Sequence, residues 1–355
     1  MEIDFKTVLA AKRDLVWPVI ETYLQKAPFL TANFALPQRY QAEADFHWQL
    51  IGEYPRRWGK YLRPTLVLLT AQAMGVPTEK ALLTAAAMQT SEDWILIHDD
   101  LEDDSLERRG KPALHQIYGQ ELAINAGDGL QVLMWQMLWD NLPLLGEKKA
   151  WEIAEEFSRI LTRTVLGQTT EIRWIKEGRV DLTDEDVFFV LDGKTSCYTI
   201  AGPMRLGAIL GGADTKQLAA LWEFGQYLGR CFQIIDDLLD LTSDFEGLKK
   251  QTGNDIYEGK RTLMLMHLFR VIKLEEKLKL REIMCKTREQ KKAREVEWVI
   301  AKMKEYGSLD YGWQAAENFA TRAREIFETK LDFLAKKSAR DELSAGIDFI
   351  LNRRF

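Results

Sequence analysis

Proline is nearly absent from the second half of this chain. Of nine prolines in 355 residues, eight precede residue 150, and after Pro203 none occurs in the remaining 152. Proline removes an amide donor and clashes with the preceding turn, so its absence leaves long helices uninterrupted. Strand signals are scarce: there is no Asn-Gly turn and no sustained apolar–polar alternation. Helix-start signals are frequent. Pro77-Thr78-Glu79 opens a stretch rich in helix formers. Thr183, followed by Asp184, Glu185 and Asp186, places a cap and acids at the positive end of a helix dipole. Asp214-Thr215 opens another segment after the Gly211-Gly212 break. The pattern predicts an all-α fold. Length alone suggests two domains at about 150 residues each. No linker rich in Pro, Gly or Ser divides the chain, so a single domain over residues 1–355 is expected.

Apolar residues make up 46% and charged residues 29%, values of a folded chain rather than a disordered one. The formal net charge of −6 disfavours a general nucleic-acid binder. Cys197, Cys231 and Cys285 are too few and too scattered for a disulfide framework or a cysteine zinc site, and they fit a reducing compartment. The N-terminal stretch carries acids and lacks the apolar core of a secretory signal. No apolar run approaches the roughly 18 residues of a spanning helix. A cytoplasmic protein without a transmembrane segment is expected.

Two acidic clusters carry the chemistry. The first runs His98-Asp99-Asp100-Leu101-Glu102-Asp103-Asp104. On a helix, Asp99 and Asp103 share a face, as do Asp100 and Asp104. Such a cluster repels itself unless a hard cation neutralises it, and Mg²⁺ takes carboxylate oxygens together with water and phosphate. A solvated acidic helix end is the plain alternative. The second cluster, Gln233 to Asp240, sets Asp236, Asp237 and Asp240 into a strongly apolar helix. Acids there cost free energy unless paired or metal-bound, the alternative being that Asp237 points to solvent. Two Asp-Asp-x-x-Asp patterns 137 residues apart are more specific than either one. Basic residues flank them: Lys60 and Arg63, Arg108 and Arg109, Lys194, and Lys250 to Lys260. Together they suggest a site for two polyanions, one bridged by metal and one held directly. No Gly-rich phosphate loop is present, so a nucleotide is not indicated.

These motifs resemble, in order, those of the trans-isoprenyl diphosphate synthases, the all-helical polyprenyl synthetases that make geranyl, farnesyl and geranylgeranyl diphosphate. The motifs that carry the resemblance are Gly59-Lys60-x-x-Arg63-Pro64, Asp99 to Asp103 followed by Arg108-Arg109-Gly110, Gly167-Gln168-x-x-Glu171, Lys194-Thr195, Gln233 to Asp240, and Lys250-x-x-Gly253-x-Asp255 with Glu258-Gly259-Lys260. The resemblance implies one large helical bundle around a central cavity, acting as a homodimer. It implies three Mg²⁺ ions per site, held by Asp99, Asp103 and Asp236 with Asp100, Asp237 and Asp240 nearby. It gives the allylic diphosphate to Arg108, Lys194, Lys250 and Lys260, with Thr195 and Gln233 offering oxygen dipoles near the allylic cation. Isopentenyl diphosphate falls to Lys60, Arg63 and Arg109. The implied product is geranylgeranyl (C20) diphosphate. Alternatives are a farnesyl diphosphate synthase, a class I terpene cyclase, or a non-catalytic partner subunit.

This chain departs from the family pattern in three places. Trp58 stands where the family has a second glycine, and Tyr61 where many members have arginine. Glu92, seven residues before Asp99, stands where the family has His or Gln near the isopentenyl diphosphate. A carboxylate there repels a diphosphate unless it is protonated or paired with Lys60, Arg63 or Arg109, and Gln89 is a partial substitute. By resemblance, Ile95 and Trp94 floor the elongation pocket. A helical wheel sets Ile95 about 40° and Trp94 about 140° from Asp99, so the role of Trp94 rests on resemblance. His115 reads as a local hydrogen-bonding residue, and Arg353-Arg354-Phe355 resembles a basic tail.

Overall fold

The computed structural model describes residues 3–25, 36–242 and 252–351. Lys250 and the Arg353-Arg354-Phe355 tail therefore lie outside the described residues. The fold is all-α. In chain order the helices are α1 (Phe5–Gln25), α2 (Gln41–Ile51), α3 (Glu53–Arg56), α4 (Leu62–Ala73), α5 (Thr78–Glu102), α6 (Leu114–Tyr118), α7 (Gln120–Trp139), α8 (Leu142–Leu145) and α9 (Glu147–Lys176). Then follow α10 (Asp184–Leu191), a π-helix (Asp192–Ala201), α11 (Gly202–Leu210), α12 (Thr215–Thr242), α13 (Asn254–Glu258), α14 (Leu263–Val271), α15 (Leu274–Met284), α16 (Ala293–Glu305), α17 (Ser308–Lys330) and α18 (Lys337–Leu351). The expected starts at Thr78, Thr183 and Thr215 are observed, and Thr183 forms a full capping box with Asp186. One feature differs from the sequence reading. A small antiparallel hairpin pairs β1 (Glu107–Arg108) with β2 (Lys111–Pro112). Its turn uses Arg109 and Gly110, both at positive φ, instead of Asn-Gly.

The described residues pack as two compact units, those within 1–156, 203–214 and 334–345, and those within 157–202, 215–333 and 346–351. Several of the boundaries fall inside helices α9, α11 and α18, which is why no linker marks them in the sequence. Among the described residues no helix is long and apolar enough to cross a membrane.

In the first unit α5 packs against α4 and α7. Its buried face is built from small residues, with Ala85, Ala86 and Ala87 fully covered. Gly127 lets α7 approach α5 closely: a Cβ there would lie 2.3 Å from His98 Nε2. That contact seats His98, the residue that opens the first acidic cluster.

In the second unit α12 is flanked by α17 and the π-helix. The core there takes in Ile234, Ile235, Leu238, Met264 and Met266. A π-helix has one extra residue per turn and is uncommon outside functional sites. Here it is clamped on two sides by glycine. Gly167 of α9 meets it at Lys194, where a Cβ would lie 3.1 Å from the backbone N. Gly225 and Gly229, one turn apart on α12, meet it at Ala201 and Ser196, where added Cβ atoms would come within 2.4 Å. Buried Asp192 at its first turn accepts from Arg230 Nε (2.8 Å) and Nη2 (2.6 Å) and from Gln226 (2.9 Å).

Replacing a helical glycine by alanine ordinarily gains up to about 1 kcal/mol. At Gly229 the close backbone of Ser196 reverses the sign. Gly229→Ala should lose roughly 1–3 kcal/mol in urea unfolding. A neutral or stabilising result would show that α12 and the π-helix stand further apart.

Candidate active site

The first acidic cluster sits at the C-terminus of α5, the negative end of the helix dipole, where acids are unfavourable. Its placement needs compensation, and the hairpin supplies it. Alternation along β1 and its turn sends two adjacent arginines to different partners. Arg108 donates from Nε to Asp100 (3.0 Å) and from Nη2 to the same carboxylate, with Asp99 Oδ2 3.9 Å away. Asp100 is fully buried and also accepts from Tyr54 Oη (2.6 Å). Tyr54 Oη in turn accepts from Leu114 N (3.1 Å), and burial beside Asp100 raises the tyrosine pKa. Asp100 is thus occupied in holding Arg108, while Asp99 and Asp103 stand half-buried on the neighbouring face. Arg57 braces the hairpin by donating to Pro112 O (2.8 Å) and Arg108 O (3.2 Å).

Arg109 donates to Tyr54 O (2.9 Å) and pairs with Asp93 Oδ1 (2.8 Å) and Glu92 Oε1 (3.7 Å). Arg63 pairs with Glu92 Oε2 at 3.2 Å. Glu92 therefore faces two guanidinia, while Lys60 is exposed on the preceding loop. Gln89 is buried and donates to Asp93 (3.4 Å). Backbone strain concentrates in these loops. Among the described residues Trp58, Tyr61, Asp104 and Arg109 are the non-glycine residues at positive φ, between 49° and 57°. Each costs about 1–2 kcal/mol for an L-residue. The family's glycine suits the conformation of Trp58, which is held by an edge contact to Trp17 (5.9 Å) and by Arg13 over its ring (4.7 Å). Trp94 is buried with its ring edge-on to His98 (5.7 Å), and Ile95 is half-buried. His115 lies 3.7 Å from Asp104 and beside Gln116 (3.0 Å).

The second unit holds the other motifs. The π-helix turns Lys194 toward Glu171 Oε2 (2.9 Å) and Thr195 toward Gln233, whose Oε1 accepts at 2.8 Å. Gln233 Nε2 donates onward to Asp237 (2.8 Å). Asp237 is buried, so the solvent-facing alternative does not hold. Burial, then the charge of Asp255, pushes Asp237 well above the carboxylate range and Asp240 up to about 7. Asp236 is half-buried on α12. Asp255 N donates to Asp240 (3.0 Å), joining α13 to α12. Lys260 Nζ lies 2.6 Å from Glu258 and 3.5 Å from Asp255. Asp237, Asp255 and Lys260 line a small cavity with Thr262 and Leu265. Sequence reasoning missed the braces behind α13. Arg288 contacts Glu258 (3.2 Å) and Asn254 (2.6 Å), and Lys291 donates to Tyr257 O (2.9 Å). They come from the C-terminal third, which carries no motif. Among the described residues no three His, Cys, Asp or Glu side chains stand together as a metal-binding group.

Burial pushes Asp93 up to about 6 despite its pairing with Arg109. The folded protein holds that proton more tightly than the unfolded chain does. The stabilising contribution is therefore complete below about pH 4 and is lost as pH rises through about 6. Asp93→Asn cannot ionise and removes this dependence. Between pH 4 and pH 7 the wild type should lose roughly 2–3 kcal/mol relative to the variant, read from urea midpoints. Equal slopes would mean that Arg109 keeps Asp93 ionised throughout.

Residues 48–303 match the polyprenyl synthetase family. The chain is 33% identical over 295 residues to the short chain isoprenyl diphosphate synthase of Methanothermobacter thermautotrophicus, covering 83% of this chain and 86% of that one. It is 30% identical over 310 residues to the geranylgeranyl diphosphate synthase of Sulfolobus acidocaldarius, covering 87% of each. Among solved structures, the geranylgeranyl pyrophosphate synthetase of Pyrococcus horikoshii Ot3 superposes with a TM-score of 0.82 at 27% identity, covering 98% of both chains. The Lys/Arg–carboxylate motifs, the all-α fold and these likenesses agree: the chain belongs to the polyprenyl synthetase family.

Proposed function

We propose that this chain is a short-chain isoprenyl diphosphate synthase of the cytoplasm. It condenses isopentenyl diphosphate with an allylic diphosphate and yields geranylgeranyl (C20) diphosphate. The observation that carries this reading is the pairing, in each unit, of an acidic motif with cations. Arg108 is held by Asp100 beside Asp99, and Lys260 is held by Glu258 and Asp255 beside Asp237. A relative in the same family is named a geranylgeranyl diphosphate synthase, which supports the C20 product.

The donor chemistry fits Mg²⁺. Asp99, Asp103, Asp236 and Asp240 offer carboxylate oxygens, and hard Mg²⁺ takes such oxygens together with water and phosphate. The raised pKa values of Asp237 and Asp240 mark carboxylates whose burial favours a neighbouring positive charge. Asp99, Asp103, Asp236 and Asp240 are the proposed ligands, and Asp100 serves by orienting Arg108. When bound, Mg²⁺ supplies charge that stabilises a departing diphosphate. Arg108, Lys194, Lys250 and Lys260 neutralise the same leaving group where charge develops. Fixed in advance by Glu171 and Glu258, Lys194 and Lys260 need little reorganisation. Thr195 and Gln233, locked in one hydrogen-bonded chain, present oxygen dipoles to the allylic cation. Lys60, Arg63 and Arg109 hold isopentenyl diphosphate. A homodimer is part of this proposal, and exposed Ile124, Val132, Trp139 and Trp151 supply apolar surface for it.

Purified protein with Mg²⁺, isopentenyl diphosphate and dimethylallyl, geranyl or farnesyl diphosphate should give a C20 diphosphate by mass. Chelation should abolish the product. Consumption of the allylic diphosphate without isopentenyl incorporation would replace this reading with a cyclase. Absence of turnover would replace it with a partner subunit. Trp94 is the bulky residue that stops the chain in this reading. Trp94→Ala should therefore shift the main product to C25 or longer, whereas an unchanged C20 product would remove Trp94 from the pocket floor.

A further inference from the structure

We infer that Glu92 acts as an internal anion that competes with the anionic end of isopentenyl diphosphate for Arg63 and Arg109, and thereby sets the affinity for that substrate. The inference rests on the reading just given for those two arginines.

The geometry carries it. One carboxylate serves both guanidinia, Oε2 at 3.2 Å from Arg63 and Oε1 at 3.7 Å from Arg109. A second carboxylate, Asp93, lies 2.8 Å from Arg109. Two positive charges thus face two negative ones. A diphosphate approaching this group meets a cancelled field in place of a doubly positive one. The two carboxylates differ in how firmly they are held. Asp93 is fully buried at hydrogen-bond distance from Arg109 and accepts from Gln89. Glu92 has one more methylene and keeps 12% of its side chain exposed, against 1% for Asp93. Glu92 is the carboxylate that yields. Gly59 closes the other side of Arg109: its backbone packs against the guanidinium so tightly that a Cβ would fall 2.7 Å from Nη2. Tyr61 Oη, buried and without a hydrogen-bond partner among the described residues, belongs to the same polar group, and burial, then the charge of Asp93, raises its pKa. A side chain of the protein therefore already occupies the anion's place, and the substrate must displace it.

The test is steady-state kinetics of the full chain with Mg²⁺, varying isopentenyl diphosphate at saturating allylic diphosphate. Glu92→Gln keeps shape and removes charge. It should lower the KM for isopentenyl diphosphate on the order of ten-fold while the KM for the allylic diphosphate holds. Glu92→Asp keeps the charge and should show no such fall. Should Glu92→Gln fail to fold by circular dichroism, Glu92→Ala is read in its place. Calorimetric titration with isopentenyl diphosphate alone should show the same tightening. A KM that is unchanged or raised in the uncharged variants would overturn the inference and make Glu92 a support for the two arginines. A wild type that does not elongate at all would instead overturn the assigned reaction, so the two failures are distinguishable.

Discussion

Placing a carboxylate out of water is unfavourable unless a cation or several donors accompany it, and this chain does so repeatedly. Asp100 is buried against Arg108 and Tyr54, Asp93 against Arg109, Asp192 against Arg230 and Gln226, and Glu258 against Lys260 and Arg288. The hairpin, the π-helix and the short helix α13 are each held where such a pair forms. Removing one partner would leave an uncompensated buried charge, a far larger loss than the pair itself contributes. The scaffold and the candidate chemistry therefore share the same atoms. The cations that would meet a diphosphate are the cations that make the buried acids tolerable.

The second ingredient is close backbone approach. Gly167, Gly225 and Gly229 bring α9 and α12 against the π-helix, and only at that separation does Thr195 reach Gln233 and Lys194 reach Glu171. Elsewhere the chain accepts strain. Trp58, Tyr61 and Arg109 hold left-handed backbone in the loops that carry Lys60, Arg63 and the arginine pair. Such conformations persist where surrounding contacts over-determine them. The Trp17 and Arg13 contacts to Trp58, and the Tyr54, Asp93 and Glu92 contacts to Arg109, do that here.

Much of this was legible in the linear chain. The proline distribution and cap signals indicated helices, and the paired aspartate motifs with their ordered Lys and Arg residues indicated the chemistry. Other features left no local mark. The sequence leaves a solvated Asp237 as an alternative to a buried one, because helical periodicity does not say which neighbour covers a face. Tyr54, Arg288 and Lys291 stand in no motif, yet each donates to an atom near a motif residue. The hairpin was invisible because Arg109-Gly110 is not a turn dipeptide that propensity recognises.

The sequence by itself determined the helical character of the chain, the residue types of the candidate site and the anomaly at Glu92, since these follow from local propensity, spacing and composition. Tertiary structure alone decided how those charges are spent. Asp100 is committed to Arg108, Glu92 lies between two guanidinia, and Asp237 is buried beside Lys260 and Asp255. Ion pairing depends on distance and desolvation, and both are set by residues remote in sequence that packing brings within a few ångströms.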